Sequence, residues 1–177
     1  PCVPLRSKFT IARANTKMFL FNELFEVLYR EWPGVFRQAF LGADGLHAFW
    51  SKVRADDPRF VGNPIIGQSD WMRRAVPPVL HGDGYQFNKL QNSMLATSAG
   101  GMLATDWQLA CWLVYLFSKS NRARGKVMGG NANDTFCVLD KYNNHAFTAL
   151  FCGYHPEFDP DGEPWPANSL SAHLAKR

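Results

Sequence analysis

The sequence predicts an α/β (α+β) protein, a helical lead-in followed by strands and a helix in the order β-β-β-α. Three observations carry this. Apolar residues recur every three or four positions between Thr16 and Arg54. From Val76 to Ala104 that pattern gives way to short apolar runs punctuated by Pro and Gly, the mark of strands and turns. After Thr105 longer apolar stretches return, each preceded by a capping residue.

The first helix is read from "TKMFLFNELFEVLYREW", where Phe21, Leu24, Phe25, Leu28 and Trp32 share a face, Thr16 is the candidate N-cap and Pro33-Gly34 the stop. "VFRQAFL" gives a short second helix ending at Gly42. "DGLHAFWSKVR" gives a third, opened by Asp44, with Leu46, Phe49, Trp50 and Val53 on one side. Its other side offers Asp44, His47, Ser51, Lys52 and Arg54, too few Arg, Asn and Gln for a DNA-reading face, so the three helices are expected to be structural. "ADDPRFVGNPIIGQSD" reads as loop. The chain is thereby divided into a lead-in at 1–60, a linker at 61–75 and an α/β part at 76–177.

That part opens with a strand at Val76–His81, whose prolines suit its beginning or an edge, and Gly82-Asp83-Gly84 is expected to end it. "NSMLATSAGGMLA" suggests two short strands joined at Gly100-Gly101. Thr105 to Gln108 fits a capping box, and the segment it opens, to about Lys119, is apolar on every side and is expected to be a buried helix. "TFCVLDKYNNHAFTALFCG" reads as a helix capped by Asp134 and stopped at Gly153, with a strand over "TFCVLD" as the alternative. The tail "HPEFDPDGEPWPANS" is turn-rich, and its prolines and spacing do not fit a calcium loop.

Composition narrows the classes. The chain has 177 residues, 46% of them hydrophobic and 19% charged, which excludes a disordered polymer and needs no disulfide staples. Its four cysteines show no metal-ligand spacing; three lie in apolar runs and are expected to be buried, reduced thiols in an intracellular protein. The longest apolar run, Leu109–Phe117, is far short of the roughly 20 residues of a membrane span, so no membrane partner is expected. Residues 1–75 hold eleven Lys/Arg against seven Asp/Glu, whereas 76–177 hold eight of each.

Asp83, between two glycines at the tip of an apolar run, is the residue that invites chemistry. A turn explains it; so does a carboxylate delivered to a metal at a sheet end, although magnesium chemistry needs two or three such groups converging. His81, two positions earlier on a strand, would share its face. Among the cations, Arg73 and Arg74 precede the strand, and Lys119, Arg122, Arg124 and Lys126 crowd one loop. They read either as solvated surface or as contacts to a phosphate backbone, which a sequence pI near 9.0 permits.

"VLHGDGYQF", followed by "NSMLA", resembles the opening of the catalytic core of DDE-type transposases, most nearly those of CACTA elements, where an "ADGF"-like turn precedes a "YSLWPV"-like strand. It is still more similar to mobile-element open reading frames with an "HGDG" or "HGDE" signature, in which a "GDL" acid follows a "WP" segment like Glu163–Pro166. The resemblance covers about residues 76–170. It implies the first half of a ribonuclease-H-like fold, Mg2+ as cofactor, DNA as partner and Asp83 as the first metal-binding acid. Asp140 would serve as second acid only if "TFCVLD" is a strand, and Asp106 is better placed as a helix N-terminal residue. No "GDL" follows Glu163–Pro166. The expectation is therefore a fragment of a transposase-like protein, inactive by itself, whose intact form cuts and joins DNA and whose remaining half would be its partner. An intracellular location follows, with the nucleus compatible with a DNA partner. The competing expectations are a non-catalytic interaction domain, in which Asp83 is a turn, and a degenerate element copy without activity.

Overall fold

A computed structural model describes residues 2–6, 11–54, 56–86, 93–123 and 134–175. They form a mixed helix-and-strand protein of the α+β class. In chain order the elements are β1 (Cys2–Arg6), β2 (Ile11–Asn15), α1 (Phe21–Glu31), α2 (Pro33–Phe36), a π-helical turn (Arg37–Leu41), α3 (Gly45–Trp50), 3-10 turns at Pro58–Phe60 and Pro64–Gly67, and α4 (Trp71–Arg74). There follow β3 (Pro78–Gln86), β4 (Ser93–Gly101), α5 (Trp107–Ala110), β5 (Cys111–Ser118), a 3-10 turn at Lys119–Asn121, α6 (Thr135–Cys152) and α7 (Leu170–Leu174). β1 and β2 pair antiparallel, Val3 opposite Ala14; β3, β4 and β5 form a separate antiparallel sheet in that order.

The predicted order β-β-β-α is present, but two of its elements are built from other residues than expected. Leu109–Phe117 is not a buried helix. Its first residues finish the single helical turn of α5, and the remainder is strand β5. An unbroken apolar run does not by itself distinguish the two, and Trp112, Val114, Tyr115 and Phe117 are residues that fit a pleated surface. Burial shows the strand: Tyr115 and Phe117 are buried, while Leu116 between them is exposed. Nor do Gly100 and Gly101 turn a hairpin. They end the continuous strand β4, where a Cβ on Gly100 would stand 2.2 Å from the Ala110 carbonyl oxygen and one on Gly101 2.0 Å from that of Ala39. These glycines serve close backbone approach.

The three predicted lead-in helices exist. α1 begins at Phe21 and not near Thr16: residues 16–20 lie outside regular secondary structure, and the Phe19 N–H donates to the Val114 carbonyl at 3.0 Å. Pro33 does not simply stop α1; it starts α2 at a first-turn position, where its missing N–H costs nothing. Asp44 precedes α3 without a side-chain cap bond. In α5 the cap is Asp106, which accepts the Gln108 N–H at 2.9 Å, and not Thr105. α6 matches its prediction at both ends: Asp134 accepts the Phe136 N–H at 2.8 Å, and Gly153 closes the helix in the left-handed region at φ 74°.

The chain groups into two compact units, each assembled from separate stretches. The first comprises 1–27, 81–98 and 113–177. Its core joins Leu20, Tyr142 and Ala146 with Met18, Val138 and Trp165. Phe21 packs beside Phe147, ring centroids 5.4 Å apart, and β1 lies against α6. The second comprises 28–80 and 99–112. There Phe40 stacks on Trp112 at 5.4 Å, and Trp50, Phe60 and Trp71 form a ring cluster anchored by the Trp50 indole N–H, which donates to the Ala75 carbonyl at 2.7 Å. Residues 61–75, read as linker, contain the Pro64–Gly67 turn and α4, and Trp71 makes them part of this cluster.

Candidate functional site

Asp83 sits inside β3, not beyond its end: the strand runs on through Gly82-Asp83-Gly84 to Gln86. A sheet tolerates these glycines because β4 supplies the packing, with Thr97 beside Gly82 and Leu95 beside Gly84. The Asp83 side chain is exposed, and one carboxylate oxygen accepts the Gly84 N–H at 2.6 Å. His81, two residues earlier, is exposed as well and is no buried core histidine; the Ser98 hydroxyl reaches its carbonyl at 3.5 Å. The two side chains share a face, as strand periodicity requires.

Asp140 lies on α6, which removes the condition on which it was read as a second strand-borne acid. It belongs to a different constellation. Its carboxyl is pushed above the ordinary carboxylate range, chiefly by partial loss of solvent and then by repulsion from Asp134, and Arg122 partly offsets both. Arg122 lies 3.8 Å from an Asp134 oxygen, with its guanidinium 4.0 Å above the Phe136 ring. Buried Tyr115, hydrogen-bonded to Thr97, is raised by burial and further by the charge of Asp140.

The predicted basic residues divide. Arg73 and Arg74 are exposed at the end of α4, and Lys119 is exposed in its 3-10 turn. Arg122 is engaged by Asp134 and Phe136 instead of standing free on a basic loop. Arg124 and Lys126 lie outside the described residues. Among the described residues no group of three His, Cys, Asp or Glu side chains could hold a metal ion. Nor are the cysteines the buried set that was expected: Cys137 and Cys152 are exposed on α6, whose packed positions include Leu139, Tyr142, Ala146 and Ala149. No helix among the described residues is long and apolar enough to cross a membrane.

The acid cluster that sequence reasoning missed joins α1 to the tail. The Ser171 hydroxyl donates to Glu23, Asn22 lies 3.4 Å from His155, and His155 lies 4.0 Å from Glu26. Loss of solvent raises the Glu23 carboxyl, against the lowering effects of Ser171 and His155. Glu23 and Ser171 stand 148 positions apart, and no local pattern announces the pair. An open groove of about 610 Å³ runs between Thr16–Phe19 and Leu113–Leu116 and carries no acid. Comparison of the chain with family models, curated proteins and solved structures finds no match.

Proposed function

We propose that this chain supplies the opening β-β-β-α segment of a transposase-like nucleotidyl transferase core, in which Asp83 is the first acid and DNA the substrate. The observation that carries the reading is the position of Asp83: an exposed carboxylate on the first strand of a three-stranded antiparallel sheet, ahead of a long helix. Exposed Arg73, Arg74 and Lys119 add charge of the sign a phosphate backbone attracts. Intact, such a protein would cleave and transfer DNA strands with magnesium.

The described residues do not complete a magnesium site. The ion is held by carboxylates together with substrate phosphates and sheds its water reluctantly, so one exposed carboxylate beside a histidine binds it weakly. The chain's own contribution is an exposed acid on β3 and exposed cations at Arg73, Arg74 and Lys119. A second reading, a non-catalytic interaction domain, draws on the Gly84 N–H that already occupies one Asp83 oxygen and gives that side chain a local structural role.

DNA binding separates the two. A fluorescent duplex titrated with the protein across a salt series should show weak, sequence-indifferent binding that falls steeply as salt rises. Arg73→Ala with Arg74→Ala should weaken it and flatten the salt dependence by about one counterion per lost contact. Binding that ignores salt, or no binding at low salt, sinks the DNA reading and leaves the interaction domain. Supercoiled DNA with magnesium should stay uncut by these 177 residues alone.

A further inference from the structure

We propose that the open edge of strand β5 is a docking groove for an extended, apolar peptide segment carrying a carboxylate, held by strand pairing to the β5 backbone and by Lys17.

The strand supplies the first reason. β5 stands last in the order β3-β4-β5, so one of its edges has no strand beside it among the described residues. Edges of this kind are ordinarily blunted by charge, proline or a bulge. Cys111–Ser118 contains no charged residue and no proline. Alongside lie residues 16–20, outside regular secondary structure, which give β5 a single backbone bond, from the Phe19 N–H to the Val114 carbonyl at 3.0 Å. That bond shows which groups face out. Alternate residues of a paired strand turn their N–H and C=O to opposite sides. Val114 and Leu116 therefore address the open edge, and Leu113 and Tyr115 address β4. Among the described residues, no segment outside the sheet bonds the Leu116 N–H or carbonyl.

The groove gives that edge room and chemistry. It holds about 610 Å³ between residues 16–19 and 113–116, all of them within one compact unit. Phe19, Leu113 and Leu116 expose apolar surface there, Phe19 to 67%. Backbone groups on a sheet edge pair an extended chain, and apolar side chains beside them select its apolar residues. Among the described residues Lys17 is the one charged residue of the lining, and it is exposed. An acidic group on the peptide thus meets a cation and no opposing carboxylate, whereas a basic segment would meet like charge. Neither Asp83 nor Arg73, Arg74 and Lys119 lines the groove, so it stands apart from the DNA reading.

The probe is a capped six-residue peptide of alternating valine and threonine with one aspartate, titrated into the whole chain and followed by backbone amide resonances and amide exchange. The Lys17, Val114 and Leu116 resonances should move, and exchange of the Leu116 N–H should slow. N-methylating alternate nitrogens of the peptide should weaken binding about tenfold, since it removes main-chain donors. Asparagine in place of the aspartate should weaken binding about two- to fivefold, as for an exposed ion pair. Lys17→Gln, an exposed change whose folding circular dichroism checks, should give the same loss without adding to it. Undiminished binding of the N-methylated peptide, or of one with lysine in place of the aspartate, overturns the proposal. Unmoved resonances at millimolar peptide overturn it too. So does a Leu116 N–H whose protection without peptide rises with protein concentration, the sign of a second copy of the chain on that edge.

Discussion

Glu23 pairs a carboxyl with a serine hydroxyl in a place where water is scarce. Loss of solvent raises its pKa from 4.5, more than the Ser171 hydrogen bond and the nearby His155 lower it. A carboxyl whose folded pKa lies above its unfolded value binds its proton more tightly when folded. Its contribution to stability is present at low pH and is lost as pH rises through the folded pKa. Glu23→Gln keeps an oxygen for Ser171 and removes the ionisation. The variant should therefore match the parent in thermal midpoint well below pH 4.5 and exceed it at neutral pH. Equal midpoints across that range would show that Glu23 is better solvated than its surroundings indicate. Asp140 follows the same sign rule with Asp134 as an added source of repulsion, whereas Arg122 works against it.

Strand β5 and its neighbours make the corresponding point about elements. Trp112 and Leu113 are adjacent in an apolar run and would both be core in a buried helix. In the strand they differ, since Trp112 stacks on Phe40 while Leu113 is 46% exposed. Trp112→Ala should cost about 3 kcal/mol, and Leu113→Ala about 0.5 kcal/mol or less, read from parallel denaturant titrations. Equal large losses would restore the helix.

The glycines give a second test of the same elements. Gly101→Ala drives a Cβ to 2.0 Å from the Ala39 carbonyl oxygen and should destabilise by about 1–3 kcal/mol. Gly82→Ala meets Thr97 only at 3.6 Å, an ordinary contact, and should be near neutral. Comparable losses at the two positions would mean that β4 does not end where its contacts place it.

These elements also mark how far sequence reading reached. The helices α1, α3 and α6 were legible because amphipathic periodicity is local, and in α6 the caps Asp134 and Gly153 are local as well. β5 was not, because an apolar run lacks the alternation that separates strand from helix until one knows which face is covered. The hairpin β1–β2 escaped for a related reason, since Cys2–Arg6 and Ile11–Asn15 carry no turn motif of the favoured kinds between them. At the site, Asp83 could be singled out by its glycines and His81 by its spacing. Which face they occupy depends on the register with Thr97 and Leu95, a fact of pairing and not of sequence.

At the scale of the molecule, composition and compactness describe different things. The change from helix-patterned to Pro/Gly-punctuated sequence falls near residues 61–75, but the compact units are 1–27 with 81–98 and 113–177, and 28–80 with 99–112. The chain passes from one unit to the other four times, three of them within β3, β4 and β5. A piece containing residues 76–177 alone would keep Ala99–Trp112 but lose nearly all of 28–80. Trp112 would lack Phe40, Gly101 would lack Ala39 and Phe40, and Met102 would keep its 2.9 Å bond to Pro77 with little else around it. Exposing that much aromatic surface removes several of the contacts whose individual loss costs about 3 kcal/mol, against a total stability of about 5–15 kcal/mol for a domain. The piece should therefore retain secondary structure in the far ultraviolet, lose its near-ultraviolet tryptophan signal and bind a hydrophobic dye. The full chain should show fixed tryptophan signals and no dye binding. A 76–177 piece that unfolds cooperatively with native-like tryptophan signals would show that the division by composition is also a division of stability, and that the packing of Trp112 on Phe40 is dispensable.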